Sequence, residues 1–217
     1  MIRWQHPEFG LLTPFKFVPM FEKNGMIQKL DRHVWEQAAK QIAFWKEKYE
    51  ITIPVSVNVS RIDLYDPELE EIFMDILKKN GLHFSDYHLE ITESVYSEDT
   101  DLIINVIRNL REKGFIIEMD DFGAGYSSLG MVSVMPIDVL KLDMAFARNV
   151  DKNAKNYRMV EIMKDIAGFM DVSVIAEGVE TEEQYRLMKK AGCDYLQGYY
   201  FSRPVPPEEF EKLFERK

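Results

Sequence analysis

Short apolar segments alternate along this chain with longer amphipathic ones, and that alternation limits the fold more than any other feature. The apolar segments are Val55–Val59, His88–Thr92, Ile116–Met119, Val139–Leu142, Val174–Ala176 and Tyr195–Leu196. Each is short enough for a strand, and near-continuous hydrophobicity suits a strand buried on both faces. Ile2–Trp4 reads as the stub of an earlier strand. Between these segments apolar residues recur at helical spacing. Val34, Trp35, Ala38, Ile42 and Trp45 mark a helix over Leu30–Lys48, and Ile72, Phe73, Ile76 and Leu77 follow the N-cap pattern Asp66-Pro67. Leu102, Ile103, Val106, Ile107 and Leu110 form a third apolar face, and Met159, Val160, Ile162, Met163 and Ile166 a fourth. Thr181-Glu182-Glu183-Gln184 is a capping-box pattern. Strands alternating with helices predict a parallel sheet. No glycine-rich dinucleotide fingerprint follows the first strand, so the expected architecture is a TIM-like (β/α) barrel rather than an open doubly wound sheet. Without a linker, repeat or low-complexity tract, residues 1–217 read as a single domain.

The strands end in residues that packing alone would not choose. Val57 leads to Asn58, Leu89 to Glu90, Glu118-Met119 to Asp120-Asp121, Leu140 to Lys141-Leu142-Asp143, Ala176 to Glu177, and Leu196 to Gln197. In a barrel these ends meet at one rim, the place where active sites form. Any one of these acids alone is most simply a loop-start residue or a helix cap. Repetition at six strand ends is not explained that way. Carboxylates that converge repel unless cations sit among them, and hard oxygen ligands select Mg²⁺, Mn²⁺ or Ca²⁺. Adjacent Asp120 and Asp121 suit two metals sharing a ligand, and such a pair can clamp both oxygens of a phosphoryl displacement. Glu118 is assigned no chemical role, an interior salt bridge being one use open to it.

Charge and composition narrow the partners. With 27 Lys and Arg against 37 Asp and Glu, the net charge is −10, and no basic stripe of the kind that tracks a nucleic-acid polymer is present. No apolar run reaches the length of a membrane span. The single cysteine, Cys193, has no internal disulfide partner, which fits a reducing cytoplasm. It reads as a small buried residue. His6, His33, His83 and His88 lack metal-ligand spacing, and Trp4, Trp35 and Trp45 read as core.

The same segments resemble the EAL-type cyclic-di-GMP phosphodiesterase domain. The resemblance is carried by Asn58-Val59-Ser60, Glu90-Ile91-Thr92-Glu93, Asp120-Asp121-Phe122-Gly123-Ala124-Gly125-Tyr126-Ser127-Ser128, Lys141-Leu142-Asp143, Ala176-Glu177-Gly178-Val179-Glu180 and Gln197-Gly198-Tyr199, with Arg203-Pro204 near the end. It spans essentially the whole chain. A lone Asp-Phe-Gly also occurs in protein kinases, but neither a kinase glycine-rich loop nor a kinase catalytic loop is present. The resemblance implies metal-dependent hydrolysis of cyclic-di-GMP to linear pGpG, with two Mg²⁺ or Mn²⁺ ions and with Ca²⁺ binding and inhibiting. It implies Asn58, Glu90 and Asp120 as ligands of one metal, and Asp120, Asp121 and Glu177 as ligands of the other. Lys141 would orient or deprotonate the attacking water, and Gln197 would hold a metal-bound water. Glu93 would anchor the loop Phe122–Ser128, and Arg3 and Asp143 would contact substrate. It also implies a homodimer, and attachment to sensor or GGDEF domains in a longer parent protein.

The family signature Glu-Ala-Leu would stand just before Ile2-Arg3-Trp4, and this chain starts at Met1 inside the motif. On the resemblance, one ligand of the first metal and one earlier strand are expected to be absent, leaving the barrel incomplete at its N-terminus. Weaker metal binding, reduced turnover and pairing of an exposed sheet edge are the corresponding expectations. A cyclic-di-GMP-binding module with little or no turnover is the alternative function.

Overall fold

The computed structural model describes residues 2–97, 100–123 and 134–214, and the chain forms two compact units, Met1–Tyr87 and His88–Lys217.

The first unit opens on a hairpin. Strands β1 (Trp4–His6) and β2 (Gly10–Leu12) pair antiparallel, with Trp4 opposite Leu12. Ile2–Trp4 is therefore not the stub of a parallel strand. The turn decides this: His6 Nδ1 accepts from the backbone N–H groups of Glu8 and Phe9, and Gly10 takes a φ of +68° that reverses the chain. Helices α1 (Pro14–Lys23) and α2 (Ile27–Tyr49) follow. Then come β3 (Val55–Asn58), α3 (Arg61–Leu64) and α4 (Leu69–Asn80). The core of this unit is aromatic. Trp35 lies 4.5 Å from Phe73 between ring centres, and both are fully buried with Tyr87. The polar tips are satisfied as burial demands: Tyr87 Oη donates to Trp35 O at 2.9 Å, and Trp35 Nε1 donates to Asn58 O at 2.8 Å. The second of these bonds fixes the backbone at the end of β3.

The second unit is a parallel β/α assembly. Strands β4 (Tyr87–Thr92), β5 (Ile116–Phe122), β6 (Val139–Leu142), β7 (Ser173–Ala176) and β8 (Tyr195–Leu196) pair in chain order, each parallel to the next. Among the described residues, helix α5 (Thr100–Lys113) lies between β4 and β5, α6 (Met144–Asn149) and α7 (Ala154–Phe169) between β6 and β7, and α8 (Glu182–Lys190) between β7 and β8. The capping box predicted at Thr181 is present, with Thr181 Oγ1 accepting from Gln184 N. Near the C-terminus a short turn of helix, α9 (Pro207–Phe210), runs into a 3-10 turn (Glu211–Leu213), and residues 215–217 lie outside the described residues.

Two aspartates at the starts of strands tie the sheet together. Asp138 accepts from Ile117 N at 2.9 Å and is gripped by Arg111 Nε, while Asp194 accepts from Val174 N at 2.7 Å and is gripped by Lys164 Nζ. Each takes up the N–H of the second residue of the strand beside it.

The sheet divides residues by face. Neighbours in register share a face, and alternate residues along a strand share it too. The pairings Glu90–Glu118, Glu118–Val139, Lys141–Ile175 and Ile175–Tyr195 therefore put His88, Glu90, Glu118, Asp120 and Lys141 on one face. The other face carries Leu89, Ile91, Ile117, Met119, Leu140, Leu142, Val174 and Ala176, each fully buried, with α5 packed on β5 and α7 on β7. The apolar face supplies the hydrophobic stabilisation, which leaves the polar face available for chemistry.

Candidate metal centre

Glu90 and Asp120, from the C-terminal halves of β4 and β5, and Glu177, just past β7, reach one point. One carboxylate oxygen of each lies within 4.8 Å of the other two. Into this group β6 delivers Lys141, which is only 5% exposed. Its Nζ pairs with Glu90, with Asp120 Oδ1 at 3.1 Å and with Glu177 Oε1 at 2.7 Å. The arrangement follows from register: Lys141 opposes Ile175 on β7, so Glu177 continues the same face one residue beyond the strand.

The pairing of β5 with β6 is irregular where the acids fall. Met119 opposes Leu140 and Phe122 opposes Leu142, so Asp120 and Asp121 together oppose Lys141. This is a β-bulge, two residues against one. Asp121 adopts a φ of +57°, a left-handed conformation that a short polar side chain tolerates. In a regular strand adjacent side chains point to opposite faces. The bulge breaks that rule, and both aspartates feel the charge of Glu177. Burial pushes the Asp120 carboxyl up from 3.8 to about 7, helped by Glu177 and then Asp121. Burial also raises Asp121, with Asp143 and Glu177 adding to it. Lys141 lies close to Asp120 but shares its single charge among three acids, so the upward direction stands.

Asp120 Oδ1 offers a direct test of metal fit. It is buried and, although 3.1 Å from the Lys141 ammonium, lacks hydrogen-bond alignment with any donor. A buried carboxylate oxygen without a hydrogen bond, among further carboxylate oxygens, is a site that a hard divalent cation satisfies. The residues present fit such an ion.

The remaining candidates fall around this centre or in the first unit. Glu93 is buried, and its Oε2 accepts from Gly123 N at 2.9 Å, tying the end of β4 to the segment after the bulge. Gly123 has a φ of +93°, and a Cβ there would strike the Phe146 ring. Residues 124–128 of the expected loop lie outside the described residues. Asp143 caps α6 through Ala145 N at 2.8 Å. Gln197 follows β8, where its backbone is locked to the loop after Glu177: its N–H donates to Ala176 O, and its carbonyl accepts from Val179 N. Asn58 ends β3, and Arg3, exposed, precedes β1; both belong to the first unit. The structure also gives Glu118 a partner. It is 3% exposed and lies 2.7 Å from His88 Nδ1 on the same face. His88 carried no sequence signal for this beyond its alternation with Glu90. In the first unit, burial and the neighbouring Asp63 carboxylate push Asp31 up to about 8, which the sequence reading did not single out.

Parallel strands that gather acidic side chains around one lysine define a carboxylate metal centre on an α/β sheet. A family model for the EAL domain matches residues 1–204, and the chain belongs to that family. Among curated proteins, it is 34% identical over 216 residues to the cyclic di-GMP phosphodiesterase PdeR of Escherichia coli K12, covering 100% of this chain and 32% of PdeR. It is 32% identical over 209 residues to the bifunctional diguanylate cyclase/cyclic di-GMP phosphodiesterase MucR of Pseudomonas aeruginosa, covering 96% of this chain and 30% of MucR. The chain thus spans about a third of the length of these relatives. Among solved structures, the PaMucR phosphodiesterase in complex with c-di-GMP superposes with a TM-score of 0.89 at 32% identity, covering 96% of this chain and 84% of that one. The EAL domain of Mycobacterium smegmatis DcpA gives a TM-score of 0.81 at 30% identity, covering 87% and 85%. The α/β, TIM-like fold expected from the alternation is the fold of these neighbours.

Proposed function

We propose that this chain hydrolyses cyclic-di-GMP to linear pGpG with the help of divalent metal. The observation that carries the reading is the convergence of Glu90, Asp120 and Glu177 on Lys141 along neighbouring parallel strands. Phosphodiesterase relatives that match the full length of the chain support the substrate. Glu90 and Asp120 would contribute to one ion, and Asp120, Asp121 and Glu177 to the other. Mg²⁺ or Mn²⁺ suits these oxygen donors, and Ca²⁺ is expected to bind and inhibit. When bound, the ions supply Lewis-acid charge stabilisation and a more acidic water.

The chain's own residues do the rest. Lys141 orients the attacking water and offsets charge on the phosphoryl oxygens as they become more negative. Water oxygen bonds to phosphorus, the bond to one ribose 3′-oxygen breaks, and that oxygen leaves with a proton. Gln197 would hold a water beside this centre, and Asp143 would help orient the substrate. Glu93 holds the segment after the bulge through Gly123. In the same reading the chain works as a homodimer, joined to sensor or GGDEF domains in a cytoplasmic protein. The two activities in the name of MucR support the GGDEF linkage. No helix among the described residues is long and apolar enough to cross a membrane.

Incubation with cyclic-di-GMP and Mn²⁺, followed by chromatographic detection of pGpG, tests the reading. Product should form with Mn²⁺ and disappear with chelator. Binding of the dinucleotide by calorimetry without product would instead establish the binding-module alternative.

A further inference from the structure

Lys141 occupies the position that a metal ion would need. Its ammonium pairs with Glu90, Asp120 and Glu177, and these are the same three acids whose oxygens converge within 4.8 Å. The backbone cannot yield to make room. Leu140 and Leu142, on either side of Lys141, are fully buried on the apolar face, and β6 is paired on both edges. The lysine side chain can yield, because four methylenes separate its charge from that backbone. Two cations held by the same carboxylates repel strongly where water is scarce.

We infer that Lys141 is the internal counter-ion of this centre and the direct competitor of its metal. The ammonium keeps the three carboxylates assembled, and it must release at least one of them before those oxygens can take a divalent ion. The metal affinity of the chain is therefore set by the difference between two cations, not by the ligand set alone. This inference rests on the metal-site reading above and adds a second role for Lys141, one that precedes any contact with water or substrate. It also accounts for a lysine so deeply placed among acids: without it, converging carboxylates would oppose folding whenever metal is scarce.

The test is titration calorimetry of the whole chain with MnCl₂ at about pH 8, using the wild type, Lys141→Met and Lys141→Arg. Lys141→Met removes the competitor and should lower the Kd for Mn²⁺ by at least about tenfold. Lys141→Arg keeps a cation and should stay within about threefold of wild type. Thermal shift supplies a second readout, in which Mn²⁺ should raise the Tm of Lys141→Met more than that of wild type. If Lys141→Met does not fold without metal, Lys141→Gln retains hydrogen-bond donors among the acids and takes its place with the same expectation. A Kd in the neutral variant equal to or weaker than that of a metal-binding wild type overturns the inference and leaves the metal site standing. Absence of binding in wild type and neutral variant alike overturns both.

Discussion

Lys141 sets one positive charge against three carboxylates. Asp120, pushed up to about 7 and left with an oxygen lacking a hydrogen bond, is the most dependent on an added cation. Asp120→Asn keeps the shape of the side chain and removes its charge. It should reduce pGpG formation by more than about 100-fold, equivalent to a few kcal/mol of transition-state stabilisation, while circular dichroism stays unchanged. Glu118 shows the other solution, a buried acid matched to one partner. His88→Ala would leave Glu118 buried without its 2.7 Å contact and should cost about 2 kcal/mol in urea denaturation.

Elements are positioned by a few backbone-level devices. The bulge in β5 gathers Asp120 and Asp121, and the aspartates at the starts of strands hold the sheet in register. Asp194→Ala would free the Val174 N–H and the Lys164 ammonium together, at a cost of about 1–2 kcal/mol. The turn after β8 depends on close approach. Gly198 has a φ of +156°, and a Cβ there would run into the Val179 backbone that binds Gln197. Gly198→Ala should cost at least about 1–3 kcal/mol from backbone strain and should displace Gln197. The expected readout is a lowered Tm together with a fall in kcat, and a variant indistinguishable from wild type in both would refute the role given to this turn.

For the whole molecule, the raised acids predict how stability follows pH. Asp120 and Asp31 move from 3.8 to about 7 and about 8, so the folded chain holds these protons more tightly than the unfolded chain. Their contribution to stability is complete below about 4 and is lost as pH rises through about 7 and about 8. In chelator, Tm should therefore fall between about pH 5 and pH 8, and the Asp31→Asn, Asp120→Asn double variant should flatten that slope. Mn²⁺ at about 100 times its Kd should add about 2.7 kcal/mol of stability.

The parallel β/α order was legible because short segments rich in buried apolar residues mark the strands, and helical spacing marks what lies between them. The strand-end acids and Lys141 were legible because a polar residue after such a run is visible without coordinates. The hairpin at Trp4–Leu12 was not, since its turn depends on a histidine nitrogen accepting backbone donors and not on a recognised turn sequence. The bulge was hidden for a related reason: register is a relation between two strands, and Asp120-Asp121 reads alike whether one or both face Lys141. The chemical types gathered at the centre were determined by the sequence alone. Which oxygens meet, which acid shares the lysine and which pairs with His88 were decided only by tertiary structure, because those contacts join residues more than about 20 positions apart.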